Sequence, residues 1–247
     1  NTSFLDAHKY WSGVLKEGGT IPTDYNPKAR VTHREMKARE SILLKGQEMM
    51  EKFSISIQER QLMPSNLLIS VLFNVCKNYY DLEDLLINIM SQQRESFFKN
   101  IHIERTTGFF AGAYPARLSF DEKREDDLVQ QINQTILDIP KNGLDYFILK
   151  HENNQFSLPE RNADVLFHYL KTENIFPETP YYEQLDIPIG FTNSKDNESN
   201  YLLNITVMES YNQLKIRFYY SSQHFKENTI INLIDEYKKT MHRLLNW

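Results

Sequence analysis

The chain has 247 residues, 40% of them hydrophobic and 25% charged, with a formal net charge of −5. That suffices for one large domain or two small ones around a sizeable core. The 28 basic residues form no stripe that would track a phosphate backbone, which argues against nucleic acid. No apolar run is long enough to span a bilayer, and NTSFLDAHKYW lacks the basic start and apolar core of a secretion signal.

Residues 4–16 place Leu5, Lys9, Trp11 and Leu15 at helical spacing and predict a short helix. Residues 17–34, with Gly18-Gly19 and two prolines, read as a loop. Residues 35–44 suit a strand and 45–59 an amphipathic helix. Pro64-Ser65 opens a strongly apolar helix through about Tyr79, with Ser65 the N-cap or N1 neighbour. That helix carries Cys76, the chain's single cysteine, among apolar neighbours. It reads as a small core residue, and one thiol cannot form an intrachain disulfide, which fits a reducing cytoplasm.

Residues 84–90, DLLINIM, read as a buried strand, and 112–120 as another. Residues 121–139 carry Leu128, Ile132 and Ile136 at four-residue steps behind an acidic first turn, which predicts a helix. DYFILKH, 145–151, fits a helix or a strand equally. Residues 163–170 read as a strand, and 192–200 as a polar loop. Two strands, 201–210 and 213–222, follow with a tight hairpin at Tyr211-Asn212. An amphipathic helix spans 226–246. The pattern predicts one open, mixed or largely antiparallel sheet with flanking helices.

Several chemistries are missing. Gly is sparse at 8 residues, and neither nucleotide-binding glycine motif occurs. No two of His8, His33, His102, His151, His168, His224 and His242 stand three or four apart, so no helical metal pair exists. His102 and Glu104 could share a strand face, but two ligands make no site. There is no Gly-x-Ser-x-Gly elbow, and the apolar setting of Cys76 does not suit a nucleophile. Asn-x-Ser/Thr triplets at Asn133, Asn197 and Asn204 read as coincidental without a secretion signal. The residues by themselves lead to an α/β domain without an assigned reaction.

IERTTGFFAGAYPARLSF, 103–120, stands apart. Arg105, Thr106, Thr107, Gly108, Phe109, Phe110 and Ala111, followed by Tyr114-Pro115, resemble the Arg-Thr-Val-Gly-Trp-Phe-Thr…Tyr-Pro element of the epimerization branch of the condensation/epimerization superfamily of nonribosomal peptide synthetases. Tyr10-Trp11 with Leu15 resembles the family's Tyr-Trp-x-x-x-Leu helix. The segment from Asn142-Gly143 to Leu149-Lys150 is similar to its Gly-x-Gly-Tyr-Gly-x-Leu segment, and Val165 to Leu170 to its Ser-Phe-Asn-Tyr-Leu-Gly strand.

The resemblance covers nearly the whole chain and matches the C-terminal of the family's two chloramphenicol-acetyltransferase-like lobes. It implies a mixed, largely antiparallel sheet with flanking helices. It also implies that 103–115 crosses to the other lobe and floors the tunnel where a phosphopantetheine arm delivers a thioester, Gly108 permitting close backbone approach. Implied partners are an N-terminal lobe and a peptidyl carrier protein. No cofactor is expected on this lobe itself, since the substrate rides on the carrier's phosphopantetheine, and Arg94 is a possible contact for that arm or its carrier. The setting implied is antibiotic biosynthesis.

Two departures bear on activity. The epimerization branch has a Glu-Gly-His-Gly-Arg-Glu element whose first glutamate is implicated in moving the α-proton; aligning Arg94-Glu95 with its end puts Met90 at that position. Methionine exchanges no proton. His168 stands where the strand motif has asparagine, and Lys171 where it has glycine. The family's His-His-x-x-x-Asp-Gly motif belongs to the N-terminal lobe, and no adjacent histidines occur here. The expectation is an epimerization-like lobe for carrier-bound aminoacyl or peptidyl thioesters, inactive in isolation. The alternatives are a non-catalytic docking module for a carrier protein or neighbouring domain, and an acyltransferase using a late histidine, His224 or His242.

Overall fold

The computed structural model describes residues 2–27, 31–92, 103, 106–124, 127–151, 157–172, 194–210 and 212–245. In chain order the elements are α1 (Thr2–Glu17), β1 (Met36–Lys45), α2 (Gln47–Glu59), α3 (Pro64–Tyr80), β2 (Asp84–Ser91), β3 (Gly112–Ser119), α4 (Leu128–Leu137), a 3-10 turn (Pro140–Gly143), α5 (Leu144–His151), β4 (Val165–Lys171), β5 (Leu203–Ser210), β6 (Gln213–Ser221) and α6 (Glu227–Leu244).

The six strands form one mixed sheet in the order β1-β6-β5-β4-β2-β3. β2, β4 and β5 run parallel to one another in its centre, and β1, β6 and β3 complete it with antiparallel pairs. The mixed sheet predicted from the sequence is therefore present. The parallel centre follows from the connections: β2 reaches β4 through β3, α4 and α5, and a parallel pair requires such a crossover.

Alternation along the strands sorts the two faces. Leu85, Ile87 and Ile89 of β2, Val165 and Phe167 of β4, Leu203, Ile205 and Val207 of β5, and Leu214, Ile216 and Phe218 of β6 join one hydrophobic cluster with side chains from all six helices. α3 supplies the largest share of the helical part: its Leu67, Ile69, Val71 and Phe73 are fully buried. The opposite face carries Asn88, Met90, His168, Thr206, Met208 and Arg217.

One reading needs correction. α4 begins at Leu128, not at 121, and has no acidic residue in its first turn; Asp127 is the N-cap, its carboxylate accepting from the Gln130 amide. The acidic run before it belongs to the preceding turn, because a short side-chain acceptor competes with helical geometry and starts the helix where it caps. Ser65 is the N1 neighbour of the two placements expected: Met63 holds the cap and Pro64 stands at N1, where its missing N–H costs nothing. The ambiguous DYFILKH lies in a helix, α5, with Tyr146 and Leu149 facing the core. Cys76 is a buried free thiol, as its sequence setting predicts, and burial pushes its pKa up to about 12. Among the described residues no helix is long and apolar enough to cross a membrane.

Candidate functional site

The carboxyl ends of the three parallel strands point the same way, the usual place for a site in an open α/β sheet. Met90 is the penultimate residue of β2, half-buried, and lies opposite Ala113 of β3. On its other side β2 pairs in register with β4 as far as Asn88 with Leu166 and Ile89 with Phe167, and alternation puts the next residues, Met90 and His168, on the same face, away from the helices. Burial pulls the His168 pKa down, which favours the neutral imidazole. Beneath them Asn88, 5% exposed, donates to the Tyr201 hydroxyl at 2.9 Å.

Around the same strand ends opens a crevice of about 530 Å³. The N-terminus of α3 contributes Met63, Ser65 and Asn66, and the end of α4 contributes Ile136 and Leu137. Ile89, Met90, Phe167, Tyr169 and Lys171 close it from the sheet, and Asn142 from the turn after α4. That turn is unusual: Lys141 and Asn142 both adopt left-handed backbone, φ 45° and 47°, and Gly143 follows at φ 85°. Non-glycine residues occupy that region at a cost, so packing must hold them there. At one wall Glu209, at the end of β5, accepts from the Tyr169 hydroxyl and lies 3.0 Å from the Lys171 ammonium.

The segment 103–115 divides into two parts. Thr106, Thr107, Gly108 and Phe109 are exposed, Phe109 at 92%, and Phe110 is half-buried. A methyl group at Gly108 would stand 3.0 Å from the Phe110 ring. From Gly112 onward the chain is β3. There Tyr114 is buried against Trp11, and Pro115 lies opposite Asn88 on an edge strand, where proline's missing N–H breaks no ladder. Tyr114 and Pro115 thus belong to the lobe's own sheet and do not join the exposed loop. Arg94 and Arg105 lie outside the described residues.

His224 is not part of this region. It sits near the amino end of β4, where its ring bonds Ser221 at 3.0 Å and lies close to Asp164, while His168 is midway along that strand and Met90 near the carboxyl end of β2. Four residues along β4 separate Asp164 from His168, about 13 Å. A larger groove, about 1070 Å³, runs between the ends of α2 and α6 and contains none of the expected site residues. Among the described residues no group of three metal-ligating side chains occurs.

Sequence reasoning missed the Tyr169–Glu209 contact, which spans 40 residues and exists only because β4 and β5 pair in parallel. It also missed Met63, Leu137 and Asn142 as the crevice's outer wall. The one signal available was Lys171, which departs from the glycine of the strand motif.

The sequence matches the condensation-domain family over residues 1–246. It is 31% identical over 191 residues to gramicidin S synthase 1 of Brevibacillus brevis, covering 71% of this chain and 17% of that protein. It is 27% identical over 248 residues to tyrocidine synthase 1 of Brevibacillus parabrevis, covering 93% of this chain and 22% of the relative. Its fold resembles the crystal structure of the epimerization domain from the third module of tyrocidine synthetase B, with a TM-score of 0.83 at 22% identity, over 100% of this chain and 56% of that one. PapA2 acyl transferase shares the fold at TM-score 0.68 and 15% identity, over 98% of this chain and 52% of that one. The chain thus spans a small part of the curated relatives and about half of the solved structures.

Proposed function

The chain belongs to the condensation-domain family, and we propose that it is the C-terminal lobe of an epimerization-like domain acting on aminoacyl or peptidyl thioesters carried on a peptidyl carrier protein's phosphopantetheine. The observation that carries this reading is the placement of Met90 and His168. They share the sheet face away from the helices, both half-buried, Met90 near the carboxyl end of β2 and His168 midway along the neighbouring β4. An N-terminal lobe bearing the family's paired histidines would meet that face, with the exposed loop Thr106–Phe109 beside it. The lobe's own contribution is then positioning: it holds the thioester and lets the partner lobe reach the α-carbon.

Met90 sets the limit of the reading. A thioether accepts no proton at neutral pH, so this lobe lacks the carboxylate that the alignment places there. The same residue favours a second reading, in which the lobe docks a loaded carrier without chemistry. The two separate by α-proton exchange. With the chain joined to a histidine-bearing N-terminal lobe, deuterium wash-in on an aminoacyl-carrier thioester is expected to be slow, and Met90→Glu is expected to raise it several-fold. Fast exchange that Met90→Glu leaves unchanged would remove the argument for a lost glutamate. Failure of the joined lobes to bind a loaded carrier would remove both readings.

A further inference from the structure

We propose that the crevice at the carboxyl ends of β2 and β4 seats the side chain of the residue carried on the thioester, and selects a bulky, uncharged one. This rests on the reading of the chain as a thioester-handling lobe. The volume, about 530 Å³, lies in the range of small-molecule sites and is far larger than an unsubstituted α-carbon would fill. Ile89, Ile136 and Phe167 form a buried apolar wall and Met63 and Leu137 flank the mouth at 56% and 55% exposure, while Asn66, Ser91, Gln92 and Asn142 add neutral polar groups. Two large apolar side chains exposed at one opening leave surface that an apolar ligand covers with gain.

Charge points the same way. Among the described residues Lys171 is the one lining residue charged at neutral pH, and its ammonium is 3.0 Å from Glu209. A charged side chain entering the crevice would shed its water without meeting an uncommitted counter-ion, a cost that a neutral one avoids. The direction follows from Met90, which borders both the crevice and the open sheet face. A thioester whose α-carbon stands over Met90 can turn its side chain into the crevice and keep its pantetheine arm over the sheet.

The test uses the chain with ¹³C-labelled Ile, Leu and Met methyl groups, titrated with leucyl, glycyl, glutamyl and lysyl amides of aminopantetheine. The leucyl compound is expected to shift the methyl signals of Ile136, Leu137 and Met63 and to bind at least about tenfold more tightly than the other three. Leu137→Asp should abolish that preference and retain binding of the pantetheine arm, with the signal of the distant Ile230 unchanged as proof of folding. Met63→Lys gives a second route to the same result. Equal binding of all four compounds, with shifts confined to Met90 and its face of the sheet, would overturn the crevice assignment and leave the thioester reading standing. Binding by none of them would overturn both.

Discussion

At Gly143 the backbone has φ 85°, and a Cβ built there would stand 2.3 Å from the Tyr114 ring. Both facts call for glycine: the left-handed backbone strains any other residue, and the ring is fixed by Trp11 on its far side. Gly143→Ala is expected to destabilise the fold by roughly 2–4 kcal/mol, read as a fall in the thermal midpoint. His224 permits a pH prediction. Burial holds its pKa below the ordinary 6.5, partly offset by Asp164. The unfolded chain therefore takes up a proton near pH 6.5 that the folded chain resists. The stabilisation is complete above that pH and is lost as pH falls through the folded value. His168, lowered by burial, acts in the same sense. Asp164, raised by burial, acts in the opposite sense: its contribution is present below its ordinary 3.8 and lost as pH rises through its folded value. Thermal midpoints should fall between about pH 7 and pH 5.5, and His224→Asn should flatten the profile. An unchanged slope in the variant would place the titration elsewhere.

The elements are held to one another by a few polar locks. Arg161 is the clearest. Its guanidinium donates to the carbonyls of Leu15 at 3.0 Å, Lys16 at 3.1 Å and Gly18, closing the C-terminus of α1 from a loop about 145 residues further on. A cation there also meets the negative end of the helix dipole. Arg161→Met keeps much of the aliphatic stem and removes the donors. It is expected to cost about 1–3 kcal/mol in urea unfolding, with hydrogen exchange rising first in the last turn of α1. Asp84 does the same for β2: it receives the Gly19 amide at 2.6 Å and the Arg117 guanidinium at 2.5–2.7 Å, fastening the loop after α1 to the first residue of the strand.

At the scale of the molecule, one face of the sheet is packed by helices and the other carries Met90, His168, Thr206 and Met208 with partial exposure. On the proposed reading that face needs an N-terminal lobe. The 247-residue chain by itself is therefore expected to show no turnover of an aminoacyl-carrier thioester above buffer. Measured turnover by the chain alone would remove the two-lobe proposal. Adding a histidine-bearing N-terminal lobe in trans should protect amides of β2 and β4 from hydrogen exchange.

Much of this was legible in the sequence because it is local. Apolar periodicity located α3 and α6, alternation located β5 and β6, and the order of short motifs pointed to the family. DYFILKH stayed ambiguous because seven residues hold too few periods to separate helix from strand, and burial of Tyr146 beside Trp11 decided it. The start of α4 was misplaced because acidic residues suit both a first helical turn and the turn before a cap. What only the tertiary structure decided is non-local. That β2, β4 and β5 run parallel depends on crossovers, which leave no mark on any one segment. Only that arrangement brings Met90 and His168 onto one sheet face, and Tyr169 to Glu209 across 40 residues, and only packing of α3 and α4 against those strand ends opens a crevice there.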